Sequence, residues 1–215
     1  MADLRIDIIS DLSCPWCYLG YSRLKQALDQ LGDNYLIDLR WQPFELHPDL
    51  AITGADRETY LGAKFGSQER LNEATHALQQ VGLENGITYN FSDKDRVPNT
   101  KLAHQFVAAA SQVKLDTPLS LALFDAYFTQ GKDIGQKNVL EDVARSIGMK
   151  DKDIQLAYEE KTRKLVDKKI KQLTQVDVTS VPTYVINDKY MLHGAHQPES
   201  FLKVLSDIAE DTVRS

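Results

Sequence analysis

Runs of apolar residues and their spacing predict that the chain begins as strand, helix, strand. Residues 4–9 and 36–41 are short runs rich in Leu and Ile, which is typical of buried strands. Between them, Leu and Ala recur at helical spacing over residues 18–31, and Gly32 ends the predicted helix. Strands joined by a helix are expected to run parallel. The segment 42–46 should therefore lie beside the residues that follow the first strand.

The middle of the chain, residues 56–176, shows helical spacing and no strand pattern. Asn99 and Thr117 are predicted helix N-caps, the latter with Pro118 in the first helical position. Glycines are predicted to end three of the helices. The predicted helices are 67–81 before Gly82, 99–113, one between Thr117 and Gly131, 136–147 before Gly148, and a long charged helix over 151–174. We expect these helices to form a separate layer.

Strand character returns near the end of the sequence. Residues 183–186 and 189–193 are separated by Asn187 and Asp188, a pattern that predicts a hairpin, and a last helix is predicted over 198–209. Segments that mix strands and helices thus flank the helical middle. We predict an α/β fold in which one discontinuous domain, residues 1–55 and 177–215, is interrupted by a helical insertion domain, residues 56–176.

The composition is that of an ordinary globular protein, and it excludes some partners. The chain has 215 residues, of which 42% are hydrophobic and 26% charged, and its net charge is −6. Such a protein lacks the positive surface that a dedicated nucleic-acid or anionic-membrane binder uses. The first residues show no signal-peptide pattern, and no apolar run approaches the roughly 20 residues that cross a bilayer. We therefore expect a cytoplasmic protein with no nucleic-acid or membrane partner.

The only two cysteines, Cys14 and Cys17, lie between the first strand and the first helix. A CxxC pair in that position of a cytosolic protein is a candidate redox pair, because structural disulfides are uncommon there. The helix N-terminus favours a thiolate at Cys14. We expect Cys14 to be the accessible nucleophile and Cys17 to resolve the mixed disulfide. Pro15 and Trp16 are expected to set the relative stability of dithiol and disulfide.

Several other residues are candidates for roles at this site, each with a plainer structural interpretation. Asp11 and Glu45, at the ends of the first two strands, could accept the proton of the second thiol, or could be carboxylates that cap a helix or lie at the surface. His104 could line a cleft or be a satisfied core residue. The two thiols could be half of a zinc site completed by His193 and His196, but the histidine spacing typical of such sites is missing. We therefore expect no metal and no bound cofactor.

Together these motifs resemble the thioredoxin superfamily and, within it, the DsbA-like oxidoreductases of the FrnE group. The resemblance rests on segments that occur in the family's order: 14–20 (CPWCYLG), 41–46 (WQPFEL), 97–104 (VPNTKLAH) and 180–186 (SVPTYVI), followed by the closing hairpin. It implies a thioredoxin fold interrupted by a helical domain and a thiol-disulfide exchange activity. It also implies a cis bond before Pro182, with Val181 and Pro182 forming a wall that binds an extended substrate peptide.

The same resemblance leaves three functions open. The first is exchange of a disulfide with protein or small-molecule thiols, glutathione among them, in either redox direction. The second follows from similarity to kappa-class glutathione transferases and 2-hydroxychromene-2-carboxylate isomerases, which carry a serine in place of the first cysteine, whereas both thiols are kept here. The third is a non-catalytic peptide- or metal-binding module. Trp16 stands where DsbA has histidine, so the strongly oxidising character of DsbA does not transfer.

Overall fold

The computed structural model describes residues 3–33, 35–91, 96–175 and 178–214. It shows a mixed α/β fold in which strands from the two ends of the chain build one sheet. The elements in chain order are β1 (Asp3–Ser10), α1 (Pro15–Leu31), β2 (Leu36–Pro43), β3 (Ala55–Asp56), α2 (Arg57–Phe65), α3 (Gln68–Glu84), β4 (Arg96–Val97), α4 (Lys101–Ser111), α5 (Asp116–Phe128), α6 (Lys137–Ser146), α7 (Asp151–Gln155), α8 (Glu160–Gln175), β5 (Thr183–Ile186), β6 (Tyr190–His193) and α9 (Pro198–Arg214).

The main sheet has the strand order β2-β1-β5-β6, which makes β1 a central strand. β1 runs parallel to β2, with Ser10 opposite Pro43, and antiparallel to β5. The side chains from Leu4 to Ser10 are buried on both faces of the sheet, except for the partly buried Arg5. The parallel pairing confirms the sequence prediction. The segment after β2 stays close to β1, because the Phe44 N–H donates a hydrogen bond to the Ser10 carbonyl at 3.0 Å.

The helices and the sheet share one hydrophobic core. Helix α1 packs against α9 and α5, while α4, α5 and α8 contact β2. A single cluster of buried apolar residues runs through β1, α1, α4, α5 and α9. Its fully buried aromatic side chains include Phe106, Phe124, Phe128, Tyr184 and Phe201. The division of the chain into a discontinuous domain and an insertion domain stays a prediction, and residues 176 and 177, at its second boundary, lie outside the described residues.

The middle of the chain is not entirely helical, which corrects the sequence prediction. Strands β3 and β4 pair antiparallel, with Ala55 opposite Val97 and Asp56 opposite Arg96. Two residues per strand are too few to show a period of two, so the hydrophobic pattern could not reveal them. Asp56 also starts helix α2, which the pattern missed. Its carboxylate caps that helix by accepting a hydrogen bond from the Thr59 N–H at 2.8 Å.

The long charged helix predicted over residues 151–174 is broken. Helix α7 gives way to a 3₁₀ turn at Leu156–Tyr158, and the extended backbone of Glu159 (φ −71°, ψ 141°) precedes α8. The buried hydroxyl of Thr162 donates to the Leu156 carbonyl at 2.6 Å, which satisfies a group that a continuous helix would bond internally. The pattern of charged residues continues on both sides of the break. The spacing of residues in the sequence therefore does not show where α7 ends and α8 begins.

Gly82 and Thr117 do not have the roles in helix ends that the sequence predicted for them. Gly82 lies inside α3 and does not end it. A Cβ on this residue would lie 2.5 Å from the ring of Tyr89, so the glycine allows a close approach. Helix α5 begins at Asp116, and Thr117 is in its first turn rather than its N-cap. The Thr117 hydroxyl instead accepts a hydrogen bond from the Trp41 indole N–H at 2.9 Å.

Three other residues have the roles at helix ends that the sequence predicted: Asn99, Gly131 and Gly148. The side chain of Asn99 accepts a hydrogen bond from the Lys101 N–H at 3.1 Å, although α4 begins two residues later than expected. Gly131 and Gly148 follow α5 and α6 with φ values of 66° and 91°. Only glycine adopts this left-handed conformation without steric cost, which is why it commonly follows a helix.

The hairpin at the end of the sheet confirms the prediction for this segment. β5 and β6 pair antiparallel with Ile186 opposite Tyr190, and Asn187 and Asp188 between them have positive φ values of 51° and 57°. Asn and Asp tolerate that conformation better than most residues. Helix α9 starts at Pro198 as expected and continues beyond residue 209. Within the described ranges, no helix combines the length and the apolar character needed to cross a membrane.

Candidate redox site

The loop between β1 and α1 is organised around the buried carboxylate of Asp11. One carboxylate oxygen accepts hydrogen bonds from the Ser13 N–H and hydroxyl at 2.9 and 3.0 Å, and the other accepts from the Leu46 N–H at 2.6 Å. The Asp11 carbonyl accepts from the Cys14 N–H at 3.0 Å. Asp11 therefore fixes the turn that presents Cys14 and ties it to the segment after β2. Its backbone, rather than this engaged carboxylate, interacts with Cys17.

Helix α1 begins at Pro15, so both cysteines lie at its N-terminus. Cys14 is the N-cap residue with an extended backbone (φ −93°, ψ 111°), and Pro15 occupies the first turn, where a missing N–H costs nothing. The Cys17 N–H donates to the Cys14 carbonyl at 3.1 Å. The helix therefore starts three residues before the predicted position. The periodic signal began only at residue 18 because the first turn contains Pro15 and the exposed Trp16.

The loop before β5 lies against the first sulfur. The Val181–Pro182 peptide bond is cis, as the resemblance implied. The Cys14 thiol donates a hydrogen bond to the Val181 carbonyl, with 3.8 Å between sulfur and oxygen. Pro182 is buried and Val181 partly buried. These two residues thus form one side of the site, although they follow the cysteines by more than 160 positions.

The first thiol is less accessible than the sequence indicated. Both cysteines are free thiols, and Cys14 is 3% exposed against 1% for Cys17. We expected Cys14 to be open to partners, but the contact with Val181 and the surrounding core cover most of its surface. Trp16, between the two cysteines, is 48% exposed. It places a large apolar surface at the rim of the site.

The second thiol is held in its protonated form. Burial, the hydrogen bond with Cys14 and the charge of Cys14 raise the pKa of Cys17 well above its ordinary value. The Ser10 hydroxyl and the Asp11 backbone act in the opposite direction, because they stabilise the thiolate. Cys17 is therefore a thiol at neutral pH. It must lose its proton before it can act as a nucleophile.

Two tyrosines that the sequence analysis did not select lie next to the pair. The Tyr89 hydroxyl donates to the Pro15 carbonyl at 2.6 Å, and the Tyr184 hydroxyl is buried without a hydrogen-bond partner in the described part of the chain. Burial and the nearby thiols raise the pKa of both phenols. Gly20 makes room for Tyr184, since a Cβ there would lie 2.4 Å from the phenol oxygen.

Glu45 and His104 lie on the side of the site formed by the segment after β2. Burial raises the pKa of the half-buried Glu45, and the charge of Lys101 opposes this shift. His104 is buried and donates a hydrogen bond from Nε2 to the Phe44 carbonyl at 2.8 Å. Burial lowers the pKa of His104, so the imidazole is neutral at pH 7. Neither side chain is among the groups that interact with Cys17.

The histidines considered for a zinc site have other contacts. His193 Nδ1 lies 2.9 Å from the Thr183 hydroxyl, and the His196 ring packs edge-on against Phe201. Among the residues that the structure describes, three or more His, Cys, Asp or Glu side chains do not come together in a group that could hold a metal ion. A structural zinc site requires four such ligands.

Sequence comparison assigns the chain to a family. Residues 5–206 match the family described as DSBA-like thioredoxin domain. The chain belongs to this family. One relative, the uncharacterized protein YwbO of Bacillus subtilis (strain 168), is 24% identical over 210 residues, which cover 95% of this chain and 96% of YwbO. Membership of the FrnE group within the family stays a prediction.

Solved structures share the fold. The probable DsbA oxidoreductase SCO1869 from Streptomyces coelicolor has a TM-score of 0.86 at 24% identity and covers 95% of this chain and 89% of its own. The cytosolic disulfide reductase DsbM from Pseudomonas aeruginosa, solved with GSH, has a TM-score of 0.66 at 15% identity, covering 98% and 100%. A 2-hydroxychromene-2-carboxylate isomerase has a TM-score of 0.68 at 14% identity, covering 98% of each chain. These likenesses confirm the predicted DsbA-like thioredoxin fold.

Proposed function

We propose that this protein is a thiol-disulfide oxidoreductase that exchanges a Cys14–Cys17 disulfide or dithiol with protein or small-molecule thiols. One observation carries the proposal: Cys14 occupies the N-cap position of α1 and its sulfur lies at the Val181 carbonyl, with Cys17 one turn behind it. A helix N-terminus stabilises the thiolate that attacks a disulfide. The oxidoreductases and the disulfide reductase that share the fold support the same chemistry.

In the reducing direction, the exchange has two steps. The Cys14 thiolate attacks a partner disulfide, forming a mixed disulfide and releasing one partner thiolate. Cys17, after losing its proton, attacks the Cys14 sulfur and releases the second partner thiolate. Two electrons pass from the cysteine pair to the partner, and the two thiol protons balance the two thiolates released. The reverse sequence oxidises a partner dithiol and leaves Cys14 and Cys17 reduced.

We assign the binding of an extended partner segment to the wall formed by Val181 and Pro182. The Val181 carbonyl already accepts a hydrogen bond from the Cys14 thiol, so a partner that reaches the sulfur also reaches this backbone. The exposed ring of Trp16 offers apolar contact area beside it. Because Cys14 is 3% exposed, partners must displace part of this rim. Pro15 and Trp16, between the two cysteines, set the reduction potential of the pair. A change of about 30 mV in this potential corresponds to only about 1.4 kcal/mol, so one altered contact to a sulfur can shift it.

Two single variants test the proposed function. Cys14→Ser removes the attacking sulfur, and we expect it to abolish the reduction of insulin disulfides by the protein. Cys17→Ser is the matched control, because it keeps the attack and removes the resolving step. It should accumulate a mixed disulfide with the partner, detectable by mass spectrometry under non-reducing conditions. Full insulin reduction by Cys14→Ser would refute the proposal.

A second candidate function is a glutathione-dependent isomerase or transferase. The likeness to 2-hydroxychromene-2-carboxylate isomerase over 98% of this chain favours it. Calorimetric titration of the Cys14→Ser, Cys17→Ser double variant with reduced glutathione separates the two functions. Tight reversible binding without either thiol would favour the second candidate, and no binding would favour exchange. A non-catalytic module would show no two-electron transition in a redox titration of tryptophan fluorescence.

We further propose a cytoplasmic location and glutathione as a small-molecule partner. The support comes from DsbM, which is named a cytosolic disulfide reductase and was solved with GSH. Equilibration of the protein with defined ratios of reduced and oxidised glutathione yields its reduction potential. A potential below that of the glutathione pool would make the protein a reductant of partner disulfides. A potential above it would make the protein an oxidant of partner dithiols.

A further inference from the structure

Three side chains that donate hydrogen bonds meet where helix α2 contacts the segment after β2, and we call them the His47 cluster: His47, Tyr60 and Lys64. The Lys64 ammonium lies 2.9 Å from His47 Nδ1, and the Tyr60 hydroxyl lies 3.3 Å from the same nitrogen. Tyr60 and Lys64 are four residues apart in α2, a spacing that places both side chains on one face of the helix. Lys64 is exposed, so a ligand can reach it from solvent.

The contacts of His47 determine which of its ring nitrogens carries the proton. An ammonium has only donors, so the Nδ1 atom that faces Lys64 must offer a lone pair, and the proton of the neutral ring is then on Nε2. Burial and the charge of Lys64 lower the pKa of His47, which favours the neutral ring. Nδ1 has one lone pair and faces two donors. The ammonium, the Tyr60 hydroxyl and the Nε2–H group therefore exceed the acceptors that the cluster itself provides.

The positive charge of the cluster is not neutralised by a carboxylate. Within the described ranges, Lys64 forms no ion pair, and its contacts are with His47 Nδ1 and with the Tyr60 ring, whose centroid is 5.1 Å from the ammonium. The Asp11 carboxylate interacts electrostatically with His47, but its oxygens already accept hydrogen bonds from the redox loop and from the segment after β2. An unpaired positive charge beside surplus donors is the arrangement that a carboxylate ligand requires.

The His47 cluster is next to the loop that presents the nucleophile. His47 directly follows Leu46, whose N–H donates to the Asp11 carboxylate at 2.6 Å. The Asp11 carbonyl in turn accepts from the Cys14 N–H at 3.0 Å. Only Leu46 and Asp11 therefore separate His47 from Cys14 in this chain of contacts. A tripeptide spans up to about 10 Å, at about 3.5 Å per residue, so one whose sulfur is at Cys14 can extend a carboxylate toward the cluster.

We infer that the His47 cluster binds a carboxylate of anionic small-molecule disulfides, such as oxidised glutathione, while Cys14 attacks their sulfur. The inference rests on the proposed function and names the substrate class that its site prefers. In the step that the cluster assists, the Cys14 thiolate forms a bond with one glutathione sulfur. The bond between the two glutathione sulfurs breaks, and its electron pair leaves on the second sulfur. The cluster exchanges no proton or electron and holds the carboxylate in place.

The reaction of the reduced protein with three small disulfides tests the inference. Oxidised glutathione is anionic, bis(2-hydroxyethyl) disulfide is neutral and cystamine is cationic, and stopped-flow tryptophan fluorescence gives a second-order rate constant for each. We expect Lys64→Gln to slow the reaction with oxidised glutathione about tenfold, the change that about 1.4 kcal/mol produces, and to leave the neutral disulfide unaffected. Lys64→Arg, which keeps the charge, should retain most of the wild-type rate.

Charge reversal and a matched control separate recognition from a structural effect. Lys64→Glu should slow oxidised glutathione further and accelerate cystamine, two opposite changes that a loss of folded protein does not produce. Lys150→Gln removes the same charge from an exposed position before α7, which packs against α4 and α6, whereas α2 packs against α3, β3 and β4. This control should leave all three rate constants unchanged.

Insulin provides the comparison with protein disulfides. Unchanged insulin reduction by Lys64→Gln would support a subsite for small molecules, and a loss as large as that with oxidised glutathione would overturn it. Wild-type rates for oxidised glutathione in Lys64→Gln, or equal slowing of the anionic and neutral disulfides, would also overturn the inference and leave the exchange activity standing. A wild-type protein that reduces none of these disulfides would instead refute the proposed function, and the inference with it.

Discussion

A buried hydroxyl without a hydrogen-bond partner destabilises a folded protein, and within the described structure Tyr184 carries one beneath the redox pair. Its ring packs edge-on against Phe201, with 4.9 Å between the ring centroids, so the ring itself is well placed. We expect Tyr184→Phe to raise the free energy of unfolding by about 1 kcal/mol, because it removes the cost of an unpaired polar group. The midpoint of urea unfolding, at unchanged m-value, measures this.

Tyr89→Phe is the matched control for that prediction. The Tyr89 hydroxyl donates to the Pro15 carbonyl, so its removal deletes a made hydrogen bond and should cost about 1 kcal/mol. The two substitutions delete the same atom and are expected to shift the midpoint in opposite directions. A loss of stability in Tyr184→Phe comparable to that of Tyr89→Phe would show that the Tyr184 hydroxyl is satisfied.

These residues also show which parts of the site a sequence can reveal. Cys14 and Cys17 form a local motif, and Pro182 belongs to a segment whose resemblance to a family implied its cis bond. Tyr89 reaches the site across 74 positions, from a loop after α3 that carries no motif. Ser10 looks like an ordinary strand end. Such contacts depend on how distant elements pack, which periodicity and spacing do not encode.

A single glycine, Gly20, allows helix α1 to pack closely against its neighbours. Gly20 lies in its interior, where glycine costs about 1 kcal/mol relative to alanine. A Cβ at Gly20 would lie 2.4 Å from the Tyr184 hydroxyl oxygen and 3.0 Å from Cγ of Pro182. The glycine therefore lets the helix that carries the cysteines approach the strand that follows the cis proline.

We expect Gly20→Ala to destabilise the protein by about 1–3 kcal/mol, because overpacking outweighs the gain in helix propensity. Gly62→Ala in α2 is the control, since a Cβ there meets only the flexible end of Gln68, and it should be neutral or stabilising. Adding Tyr184→Phe to Gly20→Ala should recover part of the loss, which a double-mutant cycle in urea detects. Strictly additive effects would mean that the phenol oxygen does not limit the approach.

At the scale of helices and strands, sequence periodicity predicted the long elements and missed the short or interrupted ones. The strands of the main sheet and most of the helices were predicted within a few residues. The ladder of β3 and β4 has two residues per strand, and the break before α8 depends on a hydrogen bond from Thr162 to Leu156. The ladder pairs residues that are far apart in the sequence, and the break depends on a single local hydrogen bond, so neither feature changes the hydrophobic period that the pattern reads.

At the scale of the whole molecule, burial keeps one thiol and two phenols near the redox site in their neutral, protonated forms. Burial is the first cause that raises the pKa of Cys17, Tyr89 and Tyr184 above their ordinary values. For such a group, the unfolded chain loses its proton at a lower pH than the folded protein. Between the two pKa values the folded state binds more protons, so stability falls as pH rises. The site is thus a source of alkaline instability for the entire fold.

We expect the free energy of unfolding, measured under reducing conditions, to decline above pH 8.5, the ordinary pKa of about 8.5 for a cysteine in an unfolded chain. One group in its titration window contributes a slope of about 1.4 kcal/mol per pH unit. Cys17→Ala should remove this slope between about pH 8.5 and 10, whereas Tyr184→Phe should flatten the profile only above about pH 10, where an unfolded tyrosine ionises. Urea unfolding at a series of pH values measures both. If the free energy of unfolding of the wild type and of Cys17→Ala followed parallel pH profiles below about pH 10, the prediction would be wrong. Cys17 would then ionise in the folded protein as readily as in the unfolded chain, and burial would impose no penalty on its thiolate.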